Sequence, residues 1–348
     1  MAKKIIKIKF TDLPYGFTPE NSVWIKLLSE RYKVVLAEDA DFLIYSVFGN
    51  DHLKYNCIKI FWTGECQSPD FNLCDYAIGF DYLEYGDRYL RVPNYYLSNP
   101  ILFDQIQEKV HSTTDTLQEK TSFCSFVYSN NHASPERQQF FHLLSAYKPI
   151  SSGGRFLNNI GGAVSDKLSF QKSHKFAIAF ENSSSPGYTT EKLPHAFAAH
   201  TVPIYWGDPL VGQHFNTDSF INCHDYTSFE EVVEKIKLLN KDDEAYLKML
   251  QTPALNRTND YNETLAKLRT FLFPIFDQEP ENAKRYNREY WGRKYQKKQC
   301  EIWNAYNWSP KGIAGRFYMY VFRKIEKKNK SVWLWKTHKG LMKLLGKS

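Results

Sequence analysis

The chain has 348 residues, 43% of them hydrophobic and 16% aromatic, with a formal net charge of +7. This content excludes global disorder, the length suggests two domains of ordinary size, and no run of about 18 apolar residues offers a membrane-spanning helix. The charge is uneven: residues 311–348 hold eleven Lys/Arg against Glu326 alone, leaving 34 basic and 37 acidic residues in 1–310, a balance that argues against a nucleic-acid-binding body.

The first residues, MAKKIIKIKF, alternate Lys with Ile as a strand does, and they lack the apolar core and cleavage site of a signal peptide. SVWIKLLSERY has helical spacing. KVVLAED, DFLIYSVFG, YNCIKIFWTGE and CDYAIGFDY then read as strands, each an apolar run ending in polar or small residues. Such alternation predicts βαβ units and a mainly parallel sheet, whose ligands gather at the carboxyl ends of the strands. Polar residues 104–120 mark a boundary, after which the alternation repeats: SFCSFVYSN, SPERQQFFHLLSAY, HKFAIAFEN, TEKLPHAFAAH, TVPIYWGDP and SFINCHDY. One long helix is expected over 228–251, with Ser228 as its cap and Glu231 three residues on. The expected units are therefore 1–115, 116–275 and an aromatic, basic segment 276–348.

In the last segment Leu334, His338, Leu341 and Leu345 fall on one helical face and Lys336, Lys339, Lys343 and Lys347 on the opposite one. This is the pattern of a helix lying on an anionic membrane surface; docking of the apolar stripe on the protein's own body is the alternative. Six cysteines (Cys57, Cys66, Cys74, Cys124, Cys223, Cys300) show no CxxC and read as reduced thiols of a cytoplasmic protein. The expected location is the inner face of the cytoplasmic membrane, peripherally attached.

The stretch FENSSSPGYTTEK, residues 180–192, joins a strand end to a helix start. Glu181 and Asn182 fall at the carboxyl end of the strand, and Ser183–Gly187 form a flexible centre suited to closing over a ligand. Thr189 or Thr190 is placed to cap the helix, with Glu191 and Lys192 in its first turn. Free helix amides beside Lys192 suit a phosphate, Glu191 can accept from sugar hydroxyls, and Tyr188 adds an aromatic wall. A phosphorylated sugar, in particular a nucleotide sugar, fits both halves.

FENSSSPGYTTEK followed by HTVPIYWG resembles the donor signature of the α-1,3-fucosyltransferases of glycosyltransferase family 10. FWTGE (61–65), residues 71–96, FVYSNNHASPERQQFF (126–141) and GGRFLNNIGG (153–162) resemble its bacterial members, so that the likeness covers about residues 35–275. It implies a GT-B architecture: α/β, with two Rossmann-like lobes facing each other across a cleft, the first holding the acceptor and the second GDP-fucose. Asn182, Tyr188, Glu191 and Lys192 match donor-contacting positions, with Lys192 on the diphosphate and Glu191 on the fucose hydroxyls. Arg137 matches a residue reaching the same pyrophosphate, a task for which a planar guanidinium is suited. Asn130 is a weaker candidate, because YSNN departs from the family's tripeptide there.

Glu65 matches the proposed general base. The donor is β-linked and the product α-linked, so the reaction inverts the anomeric carbon and needs one carboxylate opposite the leaving group. Asp75, Asp81, Glu84 and Asp87 are rivals in the same lobe. Lys192, Arg137 and helix amides can neutralise the diphosphate, so no metal is expected to be required, a divalent ion being at most stimulatory. The expected partners are GDP-fucose, a lactose- or N-acetyllactosamine-type acceptor and an anionic membrane, and no nucleic acid. Another nucleotide-sugar donor on the same fold is the alternative.

Overall fold

The computed structural model describes residues 3–97, 101–256, 261–310, 312–314 and 317, without the side chains of 101 and 103. The first lobe is built on β1 (Ile5–Thr11), β2 (Lys33–Leu36), β3 (Phe42–Tyr45), β4 (Ile58–Trp62), β5 (Tyr76–Gly79) and β6 (Tyr89–Arg91). All are parallel, in the order β2-β1-β3-β4-β5-β6. Every residue of β3 is buried, which explains its unbroken apolar run, since a parallel sheet is covered on both faces. Helix α1 (Val23–Ser29) starts where the Ser22 hydroxyl accepts from Ile25 N at 3.3 Å, and it covers one face with Trp24, Leu27 and Leu28.

The second lobe follows α2 (Ile101–Glu108) and α3 (Thr114–Gln118). It alternates β7 (Ser122–Phe126), α4 (Glu136–Ser145), β8 (Ile150–Ser152), α5 (Lys167–Lys172), β9 (His174–Phe180), α6 (Lys192–Ala198), β10 (Val202–Trp206) and β11 (Ile221–Asn222). This sheet is also parallel, in the order β11-β10-β9-β7-β8. The α/β architecture of two Rossmann-like lobes is the one expected. Each sheet reverses its strand order once, between β1 and β3 in the first lobe and between β7 and β9 in the second. At such points the connections diverge and leave a crevice beyond the carboxyl ends of the strands.

Three features differ from the expectation. The long helix over 228–251 is two, α7 (Phe229–Lys241) and α8 (Asp243–Gln251), because the Asp242 carboxylate leaves the helical path and accepts from Ala245 N at 2.9 Å as a cap. Helix α9 (Tyr261–Asp277) returns to the first lobe, where Leu268, Leu272, Ile275 and Phe276 join its core and Phe276 lies 4.5 Å from Phe42. Conversely, Leu102 and Ile106 of α2 pack with Leu193 and Phe197 of α6 in the second. Boundaries at 115 and 275 follow chain order rather than core membership. After α10 (Pro280–Ala283), helix α11 (Tyr290–Trp308) lies on the first lobe, with Gln296 Nε2 donating to Leu53 O at 3.1 Å and Tyr295 Oη to Asp70 Oδ2 at 2.9 Å. Apart from 312–314 and 317, the expected tail helix in 311–348 lies outside the described residues.

Candidate functional site

The switch point of the second sheet carries the 180–192 loop. Beyond β9, Glu181 N donates to Trp206 O at 2.8 Å, which turns the Glu181 side chain inward, where it is fully buried. Its carboxylate accepts from Thr190 N at 2.8 Å, Thr190 Oγ1 at 2.7 Å and Lys192 Nζ at 2.8 Å. No room is left around it: a Cβ on Gly207 would sit 2.5 Å from Glu181 Cγ. A buried charge is tolerable only when paired and fully hydrogen-bonded, and Glu181 meets that condition.

Lys192 therefore stands fixed, donating to Thr190 Oγ1 as well at 2.8 Å. Burial alone would lower its pKa, but Glu181 and Glu191 outweigh burial and push it above the ordinary lysine range. Glu191 shows the mirror effect: against burial, Lys192 and Lys167 hold it down at about 2, so it is ionised throughout the neutral range. Behind them Lys167 Nζ donates to His195 Nδ1 at 3.1 Å, which requires a neutral ring, and burial together with Lys167 holds His195 down at about 4. The cluster presents the Lys192 ammonium and the Glu191 carboxylate at the loop, with Lys167, whose pKa burial lowers, behind them.

The start of α6 differs in detail from the expectation. Glu191, not a threonine, occupies the N-cap position; Thr190 is spent on Glu181 and Thr189 Oγ1 donates to Asp208 Oδ2 at 3.2 Å. Nor is the loop centre free. Asp208, itself buried, accepts from Gly187 N at 2.8 Å, and Ser184 Oγ donates to Gly207 O at 2.7 Å. Gly187 adopts φ +83° and a Cβ there would approach Phe80 O of the first lobe to 2.5 Å, so only glycine fits. Tyr188 is buried with its ring 5.1 Å from Phe80, and forms part of the seam between the lobes.

Arg137, on α4, approaches the loop from beneath. It is fully buried, its guanidinium lies 4.2 Å from the Tyr128 ring centroid, and Nη2 donates to Asn182 Oδ1 at 2.6 Å and Phe180 O at 3.2 Å. A guanidinium only donates, so Asn182 must turn its oxygen to Arg137 and its amide nitrogen outward. That nitrogen meets Glu65 Oε2 at 3.4 Å, across the cleft. Arg137, Asn182 and Glu65 thus form one chain from the second lobe to the first. The Asn130 side chain is exposed and folds on its own turn, accepting from His132 N at 2.8 Å; its backbone oxygen, not its side chain, faces Arg137.

Glu65 stands three residues beyond β4, with its amide bonded to Thr63 Oγ1 at 3.1 Å, and is half-buried at the lobe seam. Three of its four rivals are engaged elsewhere. Asp75 is buried under Arg288, 2.7 Å away, and Asp87 pairs with Arg285 at 2.8 Å. Asp81 accepts from Ser68 at 2.8 Å, and Glu84 is exposed. Asp39-Ala40-Asp41, the chain's single Asp-x-Asp triplet, precedes β3 at the amino end of the strand, opposite the end that carries Glu65, and Asp39 pairs with Lys7 at 2.7 Å. Among the described residues no group of three or more His, Cys, Asp or Glu is arranged to hold a metal. Sequence reading missed Glu181, Asp208 and Lys167; the acids in FENS and WGDP were the available signals.

Comparison with known proteins gives matches over both lobes. A model for the alpha-(1,3)-fucosyltransferase FucT N-terminal domain matches residues 8–98, and one for the glycosyltransferase family 10 (fucosyltransferase) C-terminal region matches 117–262. The chain is 37% identical over 280 residues to Alpha-(1,3)-fucosyltransferase FucT of Helicobacter pylori, an alignment covering 68% of this chain and 57% of that protein. It is 32% identical over 132 residues to the human 4-galactosyl-N-acetylglucosaminide 3-alpha-L-fucosyltransferase 9, covering 37% and 36%. It therefore spans only part of the length of these relatives. A crystal structure of an alpha1,3-fucosyltransferase superposes with a TM-score of 0.66 at 33% identity, covering 78% of this chain and 91% of that one; a structure with GDP-fucose gives 0.62 at 32%.

Proposed function

The chain belongs to glycosyltransferase family 10, and from that premise we propose that it is an inverting α-1,3-fucosyltransferase that moves L-fucose from GDP-β-L-fucose to the 3-hydroxyl of N-acetylglucosamine or glucose in a galactose-containing glycan. The observation that carries this reading is the Arg137–Asn182–Glu65 chain, which joins a cationic donor site to a carboxylate on the facing lobe.

In this reading Glu65 takes the proton of the acceptor hydroxyl as its oxygen attacks the anomeric carbon. The bond from that carbon to the diphosphate breaks on the opposite face, its electron pair passing to the phosphate oxygen. Lys192, locked by Glu181, stabilises the negative charge that develops there; because the ammonium is already oriented, no reorganisation is needed during the reaction. Glu191, ionised and unpaired by Glu181's network, accepts from fucose hydroxyls. Arg137 adds positive charge from behind Asn182 and fixes that amide toward Glu65. No metal is required. With GDP-fucose and N-acetyllactosamine, transfer is expected to persist in excess EDTA. Loss of transfer restored by Mn²⁺ would overturn the metal-free part, and no transfer under either condition would overturn the whole reading.

The protein also works on an anionic membrane surface in this reading. Among the described residues no helix is long and apolar enough to cross a membrane. The reading rests on residues 311–348, whose eleven Lys/Arg stand against Glu326 alone. Removing 311–348 should release the protein from phosphatidylserine-containing vesicles at physiological salt while transfer to a soluble acceptor persists. Unchanged sedimentation with vesicles would contradict it.

A further inference from the structure

The first lobe has a switch point of its own, between β1 and β3, and it is a built site. Asp12, just past β1, holds the left-handed conformation at φ +56°, which aspartate adopts more readily than most residues when its carboxylate is hydrogen-bonded locally. Its buried carboxylate accepts from Asp51 N at 2.9 Å, His52 N at 2.8 Å and His52 Nδ1 at 2.8 Å, while Tyr45 stacks on the His52 ring at 4.2 Å. Phe48 N in turn donates to Asp12 O at 3.0 Å, and a Cβ on Gly49 would lie 2.3 Å from Asp12 Oδ1. Buried hydrogen bonds and a required glycine fix one short loop. What that loop displays is Phe48, 50% exposed.

Phe48, Glu65 and Tyr82 each stand three residues beyond the ends of the adjacent strands β3, β4 and β5. Tyr82 is already engaged: Arg91 of β6 lies 3.8 Å from its ring centroid, and its ring edge faces Gly187 of the second lobe. Phe48 lies on the other side of Glu65. One strand further, the β1 loop displays Tyr15, 67% exposed, and is anchored through Phe17 on Phe10 and Trp62. From β4 across β3 to β1 is two strand spacings, roughly 10 Å, so these rings extend well past the hydroxyl that Glu65 serves. Loops 12–22 and 46–57 carry Asp12, Glu20 and Asp51 against Lys54 alone, and Lys54 is bound to Asp51 at 2.6 Å.

We propose that this rim is an extension of the acceptor site, on which the sugars next to the fucosylated residue stack over Phe48 and then Tyr15, and that its occupant is a neutral, extended glycan rather than an isolated disaccharide. The proposal rests on the fucosyltransferase reading for the position of the reacting sugar. Apolar sugar faces suit exposed rings, continuity with Glu65 sets the direction, and the acidic balance of the two loops disfavours sialylated or phosphorylated chains.

The test measures binding without donor, by titrating the full chain with N-acetyllactosamine and with its linear dimer. The dimer should bind about five- to tenfold more tightly, the size expected of one or two aromatic contacts. Phe48→Ala should abolish that gain and Phe48→Tyr should keep it; because Phe48 is half-exposed, both should fold, which a melting curve verifies. Equal binding of the two glycans by the unaltered protein, or a gain that survives Phe48→Ala, would overturn the platform. Transfer from GDP-fucose is read separately: length-dependent binding without fucosyl transfer would overturn the activity and leave the platform standing.

Discussion

Replacing Glu65 by Gln should lower transfer roughly 100- to 10,000-fold, the range for loss of a general base, while GDP binding is retained. Gln is the informative change because its amide oxygen can still accept from Asn182 Nδ2, now 3.4 Å from Glu65 Oε2. The contact across the cleft is then kept and only basicity is lost. The fall should appear in kcat at saturating donor and acceptor, since a base acts in the transition state rather than in binding. Near-normal kcat would remove Glu65 from the chemistry and return attention to Asp81, whose carboxylate is bound only by Ser68 among the described residues, and to the exposed Glu84.

Lys192→Ala should damage the protein twice. It removes the ammonium proposed to face the diphosphate, and it strands the Glu181 carboxylate, fully buried with only two donors from Thr190 remaining. Breaking a buried pair by removing one partner costs about 3–5 kcal/mol, so denaturant or thermal unfolding should reveal a large loss of stability together with loss of GDP binding. The two effects can be separated. Glu181→Gln combined with Lys192→Met replaces both charges, and replacing a buried pair as a whole is close to neutral. That double variant should regain much of the stability but none of the donor affinity. Recovery of GDP binding in it would show that Lys192 is structural only.

Much of this site was legible in the sequence because its signals are local. A strand that ends in Glu-Asn, a turn with glycine and a helix opening in Glu-Lys can be read from adjacent residues, and so can the strand ending at Glu65. What was not legible depends on contacts made far along the chain. Glu181 looked like a strand end and nothing more; burial beneath Gly207 made it the clamp for Lys192. The loop centre looked mobile, yet Asp208, about twenty residues on, fastens it. Arg137 looked like a group reaching directly for phosphate, whereas the structure places Asn182 in front of it. Sequence reading missed helix α9 altogether, and its packing on the first lobe depends on contacts made far along the chain. Asp12 carried no motif at all; its backbone conformation and the three hydrogen bonds to its carboxylate mark it only in the fold.

The central claim is a single displacement between facing lobes, with the base on one and the leaving group on the other. Its most direct test is the NMR spectrum of the purified product from GDP-β-L-fucose and N-acetyllactosamine. The mechanism predicts an α-fucosyl anomeric proton, with a through-space contact to H3 of N-acetylglucosamine. A β-fucosyl product would require retention, hence a second displacement, and would contradict the assignment of Glu65 as a lone general base.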